Sequence, residues 1–238
     1  MPPHAATSQG RARFARALKP AVFVVCSLPL AKLALDAFRE HLTANPIAEV
    51  MNRLGFWALF LLIMSLAATP MKTLFGWTAQ MRVRRMVGLF AFSYAALHFT
   101  TYLALDQAFD LSDIGRDIVK RKFITVGFAA FVLLVPLAVT STDRAVKRLG
   151  FRRWKRLHRL VYVAASLGVI HFVWRVKADL LDPAIFGAVL LALFVVRLSA
   201  ARRKERARVR AAVQAPITNP SFVPGAGHNP PPGGGIPV

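Results

Sequence analysis

The chain has 238 residues, 55% of them hydrophobic, and its 32 basic and 11 acidic side chains give it a formal net charge of +21. This apolar content exceeds the roughly 45–50% of soluble domains, so it excludes an ordinary soluble fold, and the apolar runs favour a membrane over nucleic acid as the partner of the basic charge. The single cysteine, Cys26, excludes an internal disulfide and thiolate-bound iron–sulfur or zinc sites.

Six apolar runs follow one another along the chain, and each is about as long as a helix that crosses the hydrocarbon core of a membrane. Residues 1–17 precede them, are polar and basic, and are predicted to form an irregular arm. The first run resembles a signal peptide, but Lys32 interrupts it and we interpret it as a retained first helix. The predicted spans are residues 18–38, 53–69, 86–105, 123–140, 154–174 and 184–200.

Prolines and changes of composition mark the ends of these spans. Pro70 is predicted to stop the second span and Pro29 to kink the first. After the sixth span, a basic helical extension leads into a Pro- and Gly-rich tail, residues 216–238, with the composition of a disordered segment. The predicted parts are therefore a basic arm, 1–17, a transmembrane domain, 18–200, and a C-terminal region, 201–238. The connecting segments 39–52, 71–85, 106–122 and 141–153 are predicted to be polar or amphipathic, without further membrane helices.

Basic residues are concentrated in alternate connections. The arm, residues 70–85, residues 141–156 and the region after the sixth span hold most of the lysines and arginines, whereas nearly all acids lie in the other connections. Because cytoplasmic loops are enriched in lysine and arginine, this pattern predicts that both termini are cytoplasmic. The sequence thus predicts an all-α, integral membrane bundle of six helices, in contact with lipid and without a nucleic-acid partner.

Three of the six histidines, His98, His158 and His171, lie inside apolar runs. An imidazole within the membrane is costly and marks a functional site, although a hydrogen bond between helices is the alternative for each one. His98 lies 12 residues after Met86 and His171 lies 14 residues after Leu157, so each rises about 18–21 Å from the same side of the membrane. Matched depth on two helices suits the two axial ligands of one haem, and we predict that His98 and His171 bind its iron.

His158 lies 13 residues before His171, near the predicted cytoplasmic face. Thirteen residues also turn its side chain some 140° away from that of His171, unless Gly168 hosts a kink. The equivalent positions on the third span are Arg84 and Arg85, which cannot bind iron but suit haem propionates or a flavin phosphate. Met81 and Met86 are conceivable thioether ligands. One haem is therefore predicted, and a second haem at His158 stays an open alternative.

Three stretches together resemble one family: YAALHFTTYLALDQ, DIVKRKFITVGFAAFVLLVPLAVTST and LGFRRWKRLHRLVYVAASLGVIHFVW. They are similar to the MsrQ (YedZ) family of haem-binding bacterial inner-membrane subunits, over about residues 54–177. The resemblance implies a ferric-reductase-like transmembrane core in which His98, His158 and His171 are haem-associated. It also implies a b-type haem, a bound FMN, electron intake from the quinone pool, and delivery to MsrP, a periplasmic molybdopterin enzyme that reduces methionine sulfoxide in proteins. Lys122 and Phe123 stand where a Pro-aromatic pair is expected.

Two alternatives remain open at this stage. The chain could be a cytochrome b that passes electrons to another acceptor, such as iron or oxygen, or a transporter or scaffold without a cofactor. A GxGxxG loop for a nucleotide is absent from the sequence, so oxidation of NAD(P)H by the chain itself is not expected. We expect the chain to carry electrons rather than to catalyse a substrate reaction. Acidic residues at the predicted outer face are candidates for docking the partner: Asp106, Asp110, Asp113 and Asp117.

Overall fold

The structure is a computed structural model, and it describes residues 4–176 and 179–214. The predicted tail, 216–238, lies outside these residues. The described residues form nine α-helices, and a π-helical segment, Tyr102–Asp106, continues the third. In chain order the helices are α1 His4–Phe38, α2 Pro46–Phe75, α3 Ala79–Thr101, α4 Leu111–Lys120, α5 Lys122–Val139, α6 Asp143–Leu149, α7 Phe151–Leu157, α8 Leu160–Arg175 and α9 Leu181–Gln214.

Six segments of the described chain are long and apolar enough to cross a membrane, which confirms the prediction of an all-α, six-span protein. They are Ala17–Phe38, Pro46–Phe75, Ala79–Asp106, Lys122–Val139, Phe151–Arg175 and Leu181–Ala211. The direction in which the chain crosses the membrane stays a prediction from charge.

The second span, α2, is the central helix. Half of its most apolar window is buried within the protein, compared with 11% for α5. Its buried side chains include Leu59, Leu62 and Leu66. The main helix pairs are α2 with α3 and α5 with α8. Each pair is antiparallel, since the start of one helix meets the end of the other, and we call these two pairs the helix hairpins.

The kink region of α1 is held by a side chain from α3. Near Pro29, the hydroxyl of Tyr94 accepts a hydrogen bond from the Leu30 N–H at 3.0 Å and donates one to the Cys26 carbonyl at 2.8 Å. In an uninterrupted helix that N–H would bond to that carbonyl directly. The Tyr94 side chain, which is 2% exposed, therefore inserts into the hydrogen-bond ladder of α1 and ties this helix to α3.

The prediction that Pro70 ends the second span is wrong, because α2 continues to Phe75. Proline has no N–H, so Pro70 leaves the Leu66 carbonyl without its helical partner. Arg197 of α9 donates to that carbonyl at 2.5 Å, which replaces the missing bond as neighbouring helices do in membranes. The helix ends instead at Gly76, which adopts the left-handed conformation at φ 68° and donates to the Lys72 carbonyl at 3.1 Å.

Three further expectations need correction. The arm was predicted to be irregular, but α1 is helical from His4. The connections 106–122 and 141–153 contain helices α4, α6 and the start of α7. The predicted fifth span is broken between Leu157 and Leu160, whereas α8 passes through Gly168 without interruption. The change of direction that Gly168 was expected to allow therefore occurs at His158 itself.

By its internal contacts the chain divides into two units, residues 1–199 and 200–238. The first contains α1 to α8 and the part of α9 up to Ser199. The described part of the second, residues 200–214, is helical and mostly exposed. Its charged side chains are Arg202, Arg203, Lys204, Glu205, Arg206, Arg208 and Arg210.

Candidate functional site

The rings of His98 and His171 face each other between the two hairpins. Their centroids lie 6.2 Å apart and their planes meet at 79°. His98 belongs to α3 and His171 to α8, and both side chains are half-buried. The two imidazoles therefore lie side by side on two separate helices, as matched depth predicts, while iron ligation stays a prediction.

A backbone carbonyl fixes each of these imidazoles. The Nδ1 atom of His98 lies 2.8 Å from the Met51 carbonyl oxygen, and that of His171 lies 2.7 Å from the Phe123 carbonyl oxygen. A carbonyl only accepts hydrogen bonds, so Nδ1 carries the hydrogen in both rings. Each Nε2 is then unprotonated and has a lone pair for a metal, which is the arrangement typical of metal-binding histidines.

Glycine gives each imidazole access to its carbonyl. A helical side chain is tilted towards the start of its helix, so the residue four positions later covers a given carbonyl. Gly55 stands four residues after Met51, and Gly127 stands four residues after Phe123. A Cβ atom added to Gly55 would lie 3.2 Å from Nδ1 of His98, and one added to Gly127 would lie 2.6 Å from Nδ1 of His171. Gly127 has no room for a side chain while His171 keeps this orientation, and a side chain at Gly55 would require the imidazole of His98 to move by a few tenths of an ångström.

The same carbonyl–glycine–imidazole unit thus occurs twice. In the first hairpin the carbonyl and the histidine are separated by 47 residues, and in the second by 48 residues. The two units present equivalent nitrogen atoms from opposite sides. We call this region the histidine-pair end of the bundle.

The two rings line a cavity of about 380 Å³, which is within the size range of ligand pockets. Its wall is formed by the N-terminal half of α2, the C-terminal part of α3, much of α5 and α8, the π-helical segment and Ile118 of α4. Most of the lining is apolar, and the aromatic side chains are Phe56, Phe99, Phe123, Phe128, Phe131 and Phe172. Phe99 and Phe131 pack with their ring centroids 4.9 Å apart. The cavity therefore combines two nitrogen donors with an apolar wall.

The residues present fit a haem. A metal–imidazole bond of about 2 Å places a metal about 3 Å from the ring centre, so one ion fits between rings separated as these are. The pair supplies two nitrogen ligands, the number that a bis-histidine haem takes from its protein. One polar atom of the wall also lacks a partner, because the buried Tyr102 hydroxyl makes no hydrogen bond with any described residue.

His158 has a different environment from the other two histidines. It caps the end of α7, and its Nε2 atom lies 3.2 Å from the Thr140 hydroxyl oxygen. Its ring stacks on Trp154 with centroids 4.0 Å apart. Trp154 in turn donates to the Thr140 carbonyl at 2.9 Å. The structure does not bring His158 into the cavity of the histidine pair, and its haem role stays a prediction.

The predicted anion-binding residues Arg84 and Arg85 lie at the start of α3, away from the histidine-pair end. Arg85 forms an ion pair with Asp143 at 2.6 Å, and Arg84 is half-buried. The Arg85 guanidinium holds the pKa of the Asp143 carboxyl below its usual value of 3.8. Arg85 is therefore already in an ion pair within this chain.

Several residues of the site were not identified from the sequence. They are Met51 and Phe123, which act through their carbonyls, Gly55, which makes room for His98, and Arg175 and Tyr102 on the cavity wall. Gly127 makes room for His171 in the same way. The spacing of these residues in the sequence could have indicated them. Each glycine follows the residue that supplies the carbonyl by four positions, and Tyr102 and Arg175 follow His98 and His171 by four positions.

Comparison with known proteins gives a consistent result. The family model described as Ferric reductase like transmembrane component matches residues 54–169, which include both hairpin glycines and His98 and His158. Relatives named Protein-methionine-sulfoxide reductase heme-binding subunit MsrQ are similar over most of the chain. The one from Rhodospirillum rubrum is 55% identical over 186 residues, which are 78% of this chain and 89% of the relative.

Two further relatives carry the same name. The protein from Herminiimonas arsenicoxydans is 50% identical over 183 residues, covering 76% of this chain and 84% of its own length. The protein from Caulobacter vibrioides is 47% identical over 182 residues, covering 76% of this chain and 87% of its own length. The similarity thus extends over most of the length of each relative as well as of this chain.

Proposed function

This chain belongs to the MsrQ family of ferric-reductase-like membrane proteins, and from this premise we propose that it is the haem-binding electron-transfer subunit of a protein-methionine-sulfoxide reductase system. Its electrons come from quinol and pass to a periplasmic molybdopterin enzyme, MsrP. That enzyme, and not this chain, reduces methionine sulfoxide in proteins.

One observation carries the proposal. Two imidazoles on separate helices lie with their centroids 6.2 Å apart, and both have Nδ1 bound to a carbonyl. A haem of the b type, when bound, supplies an iron centre that exchanges one electron at a time. His98 and His171 would hold it through Nε2, and the Met51 and Phe123 carbonyls keep both rings in the required tautomer.

The direction of transfer follows from charge. With basic connections in the cytoplasm, the histidine-pair end lies towards the periplasm, where the partner is located. Asp106 lines the cavity, and the acidic side chains that follow it in the chain, Asp110, Asp113 and Asp117, are with it the candidates to dock the partner. Both termini are then cytoplasmic. The role of His158 as a further haem-associated residue and the FMN implied by the resemblance stay predictions.

The test is a reoxidation experiment with the full-length protein. Purified protein is reduced with a quinol analogue, MsrP and a methionine sulfoxide peptide are added, and the haem absorption bands are followed. We expect reoxidation that depends on all components and is lost in His98→Ala and His171→Ala. Reoxidation by ferric citrate or oxygen alone, with no response to MsrP, would assign the chain to a different acceptor. A colourless wild-type protein would reject the electron-transfer function.

A further inference from the structure

Two polar side chains lie one helical turn beyond the histidine pair, at equivalent positions of the two hairpins. Tyr102 follows His98 by four residues, and Arg175 follows His171 by four. Residues four apart lie on the same face of a helix, and both side chains line the cavity that contains the two rings. Both therefore lie beyond the histidine pair, towards the ends of α3 and α8.

The Arg175 guanidinium has no acidic partner among the residues that the structure describes. It donates to the amide oxygen of Asn52, and its guanidinium lies 5.9 Å from the centre of the Phe172 ring. The ion pairs formed within residues 4–176 and 179–214 do not include it. A half-buried guanidinium with neutral neighbours in an apolar wall is stabilised by an anion that accepts two of its hydrogen bonds.

The hydroxyl group of Tyr102 donates no hydrogen bond to an acceptor among the described residues. Its hydroxyl oxygen is buried and makes no hydrogen bond in the part of the chain that the structure describes. The carboxylate of Asp117 on the neighbouring α4 lies near this hydroxyl and is its competing acceptor, although it already accepts from Gln107 at 3.4 Å and pairs with Arg121 at 3.2 Å. Buried hydroxyl groups are normally satisfied, so this one indicates an acceptor that belongs to a bound molecule.

We propose that Arg175 and Tyr102 bind the two propionate carboxylates of the haem held by His98 and His171. Arg175 donates its guanidinium N–H groups to one carboxylate, and Tyr102 donates its O–H group to the other. This assignment rests on the proposed function. It specifies in addition which side of the site would hold the carboxylates of the porphyrin. It places propionate binding at the histidine-pair end and not at Arg84 and Arg85, one of which is already paired with Asp143.

The experiment compares two probes on the full-length chain. Haem-free protein is titrated with haemin and with haemin dimethyl ester, which has the same iron and ring but no carboxylates. We expect the wild type to bind haemin at least tenfold more tightly than the ester. Arg175→Gln should lose most of this preference and Tyr102→Phe a smaller part. Arg116→Gln, a change on the exposed face of α4 where Arg116 pairs with Asp113, is the matched control and should keep the preference.

A second readout is the midpoint potential of the bound haem. A cation next to the propionates favours the reduced state, so Arg175→Gln should shift the potential to a more negative value while the absorption bands of a bis-imidazole haem remain. Arg175→Lys keeps the charge and should restore part of both effects, and it carries the test if Arg175→Gln does not fold.

The outcomes separate the two proposals. If Arg175→Gln and Tyr102→Phe bind haemin with the wild-type preference and potential, the carboxylate assignment is overturned and haem binding stands. An effect of Arg175→Gln without any effect of Tyr102→Phe would overturn the tyrosine part and leave its hydroxyl to Asp117. A wild type that binds neither probe would overturn the proposed function and, with it, this assignment.

Discussion

At the histidine-pair end of the bundle, His98 and His171 have Nδ1 bound to carbonyls and Nε2 available. At the other end of α8, which we call the His158 end, the Nε2 atom of His158 is instead near the Thr140 hydroxyl and the ring stacks on Trp154. All three residues are histidines in apolar runs, and the sequence alone does not distinguish their nitrogens. Whether a membrane histidine can bind a metal through Nε2 therefore depends on which of its two ring nitrogens is hydrogen-bonded to the protein.

The histidine substitutions should give the largest effects. We expect His98→Ala or His171→Ala to abolish the haem at the histidine-pair end, because each removes one of the two proposed ligands. The resemblance predicts that His158→Ala lowers the haem content as well, and the geometry predicts that the haem left behind keeps its bis-imidazole spectrum. Haem quantitation per protein with absorption spectra measures both. Unchanged haem content in His158→Ala would end its ligand role.

Substitution of the hairpin glycines should give graded effects. An alanine Cβ at position 127 would lie 2.6 Å from Nδ1 of His171, and at position 55 it would lie 3.2 Å from Nδ1 of His98. We expect Gly127→Ala to displace its imidazole, to lower stability by about 1–3 kcal/mol and to reduce haem occupancy several-fold. Gly55→Ala should have a smaller effect on both quantities.

Gly88→Ala is the control for this series, since its added Cβ would make an ordinary contact at 3.8 Å with the Ser65 hydroxyl oxygen. Thermal unfolding in detergent and haem content should rank the three variants in the order 127, 55, 88. Equal effects at all three positions would show that glycine acts through helix packing and not through the imidazoles.

The sequence predicted the pairing of His98 and His171 because the helical rise per residue converts position into depth, and both histidines lie at similar distances from a basic helix start. It did not predict Met51 and Phe123, because any carbonyl in a first turn looks the same until tertiary packing selects one. The helix ends were harder to predict. A proline such as Pro70 predicts the end of a helix. The helix α2 continues because Arg197, 131 residues away in the chain from Leu66, donates a hydrogen bond to the Leu66 carbonyl.

Away from the histidine-pair end, Arg197 allows a test of a half-buried cation that stabilises the fold. It donates to the Leu66 carbonyl at 2.5 Å and to the Tyr162 hydroxyl, and its guanidinium lies 5.0 Å from the centre of the Tyr162 ring. We expect Arg197→Met to lower stability by about 1–3 kcal/mol, measured by thermal unfolding in detergent, because a buried carbonyl loses its donor.

A double-mutant cycle identifies the cause of that loss. In a Pro70→Ala background, the alanine introduced at position 70 supplies the missing N–H to the Leu66 carbonyl, so Arg197→Met should be less destabilising there than in the wild type. Arg202→Met, which removes an exposed cation from the same helix, should have little effect in either background. The same loss in both backgrounds would mean that Arg197 does not compensate for the N–H that Pro70 lacks.

The ion pair of Arg85 and Asp143 should give the smallest effect, since the Asp143 side chain is 84% exposed. Arg85 lowers the pKa of Asp143, so the pair stabilises the folded state fully above the ordinary value of 3.8 and loses this contribution as the pH falls through the lowered pKa. We expect Arg85→Gln to reduce stability slightly at neutral pH and low salt. Unfolding measured against pH should show this difference disappearing in acid, and a difference that grows in acid would contradict the assignment.

The repeated carbonyl–glycine–imidazole unit has a consequence for how such a site can be assembled. Either hairpin alone, from Met51 to His98 or from Phe123 to His171, contains everything needed to present one iron-facing imidazole. Coordination by itself would therefore be met by a homodimer of identical hairpins. Because the two hairpins are joined in one chain, they can differ at the His158 end of the bundle. There, His158 lies thirteen residues before His171, whereas Arg85 lies thirteen residues before His98.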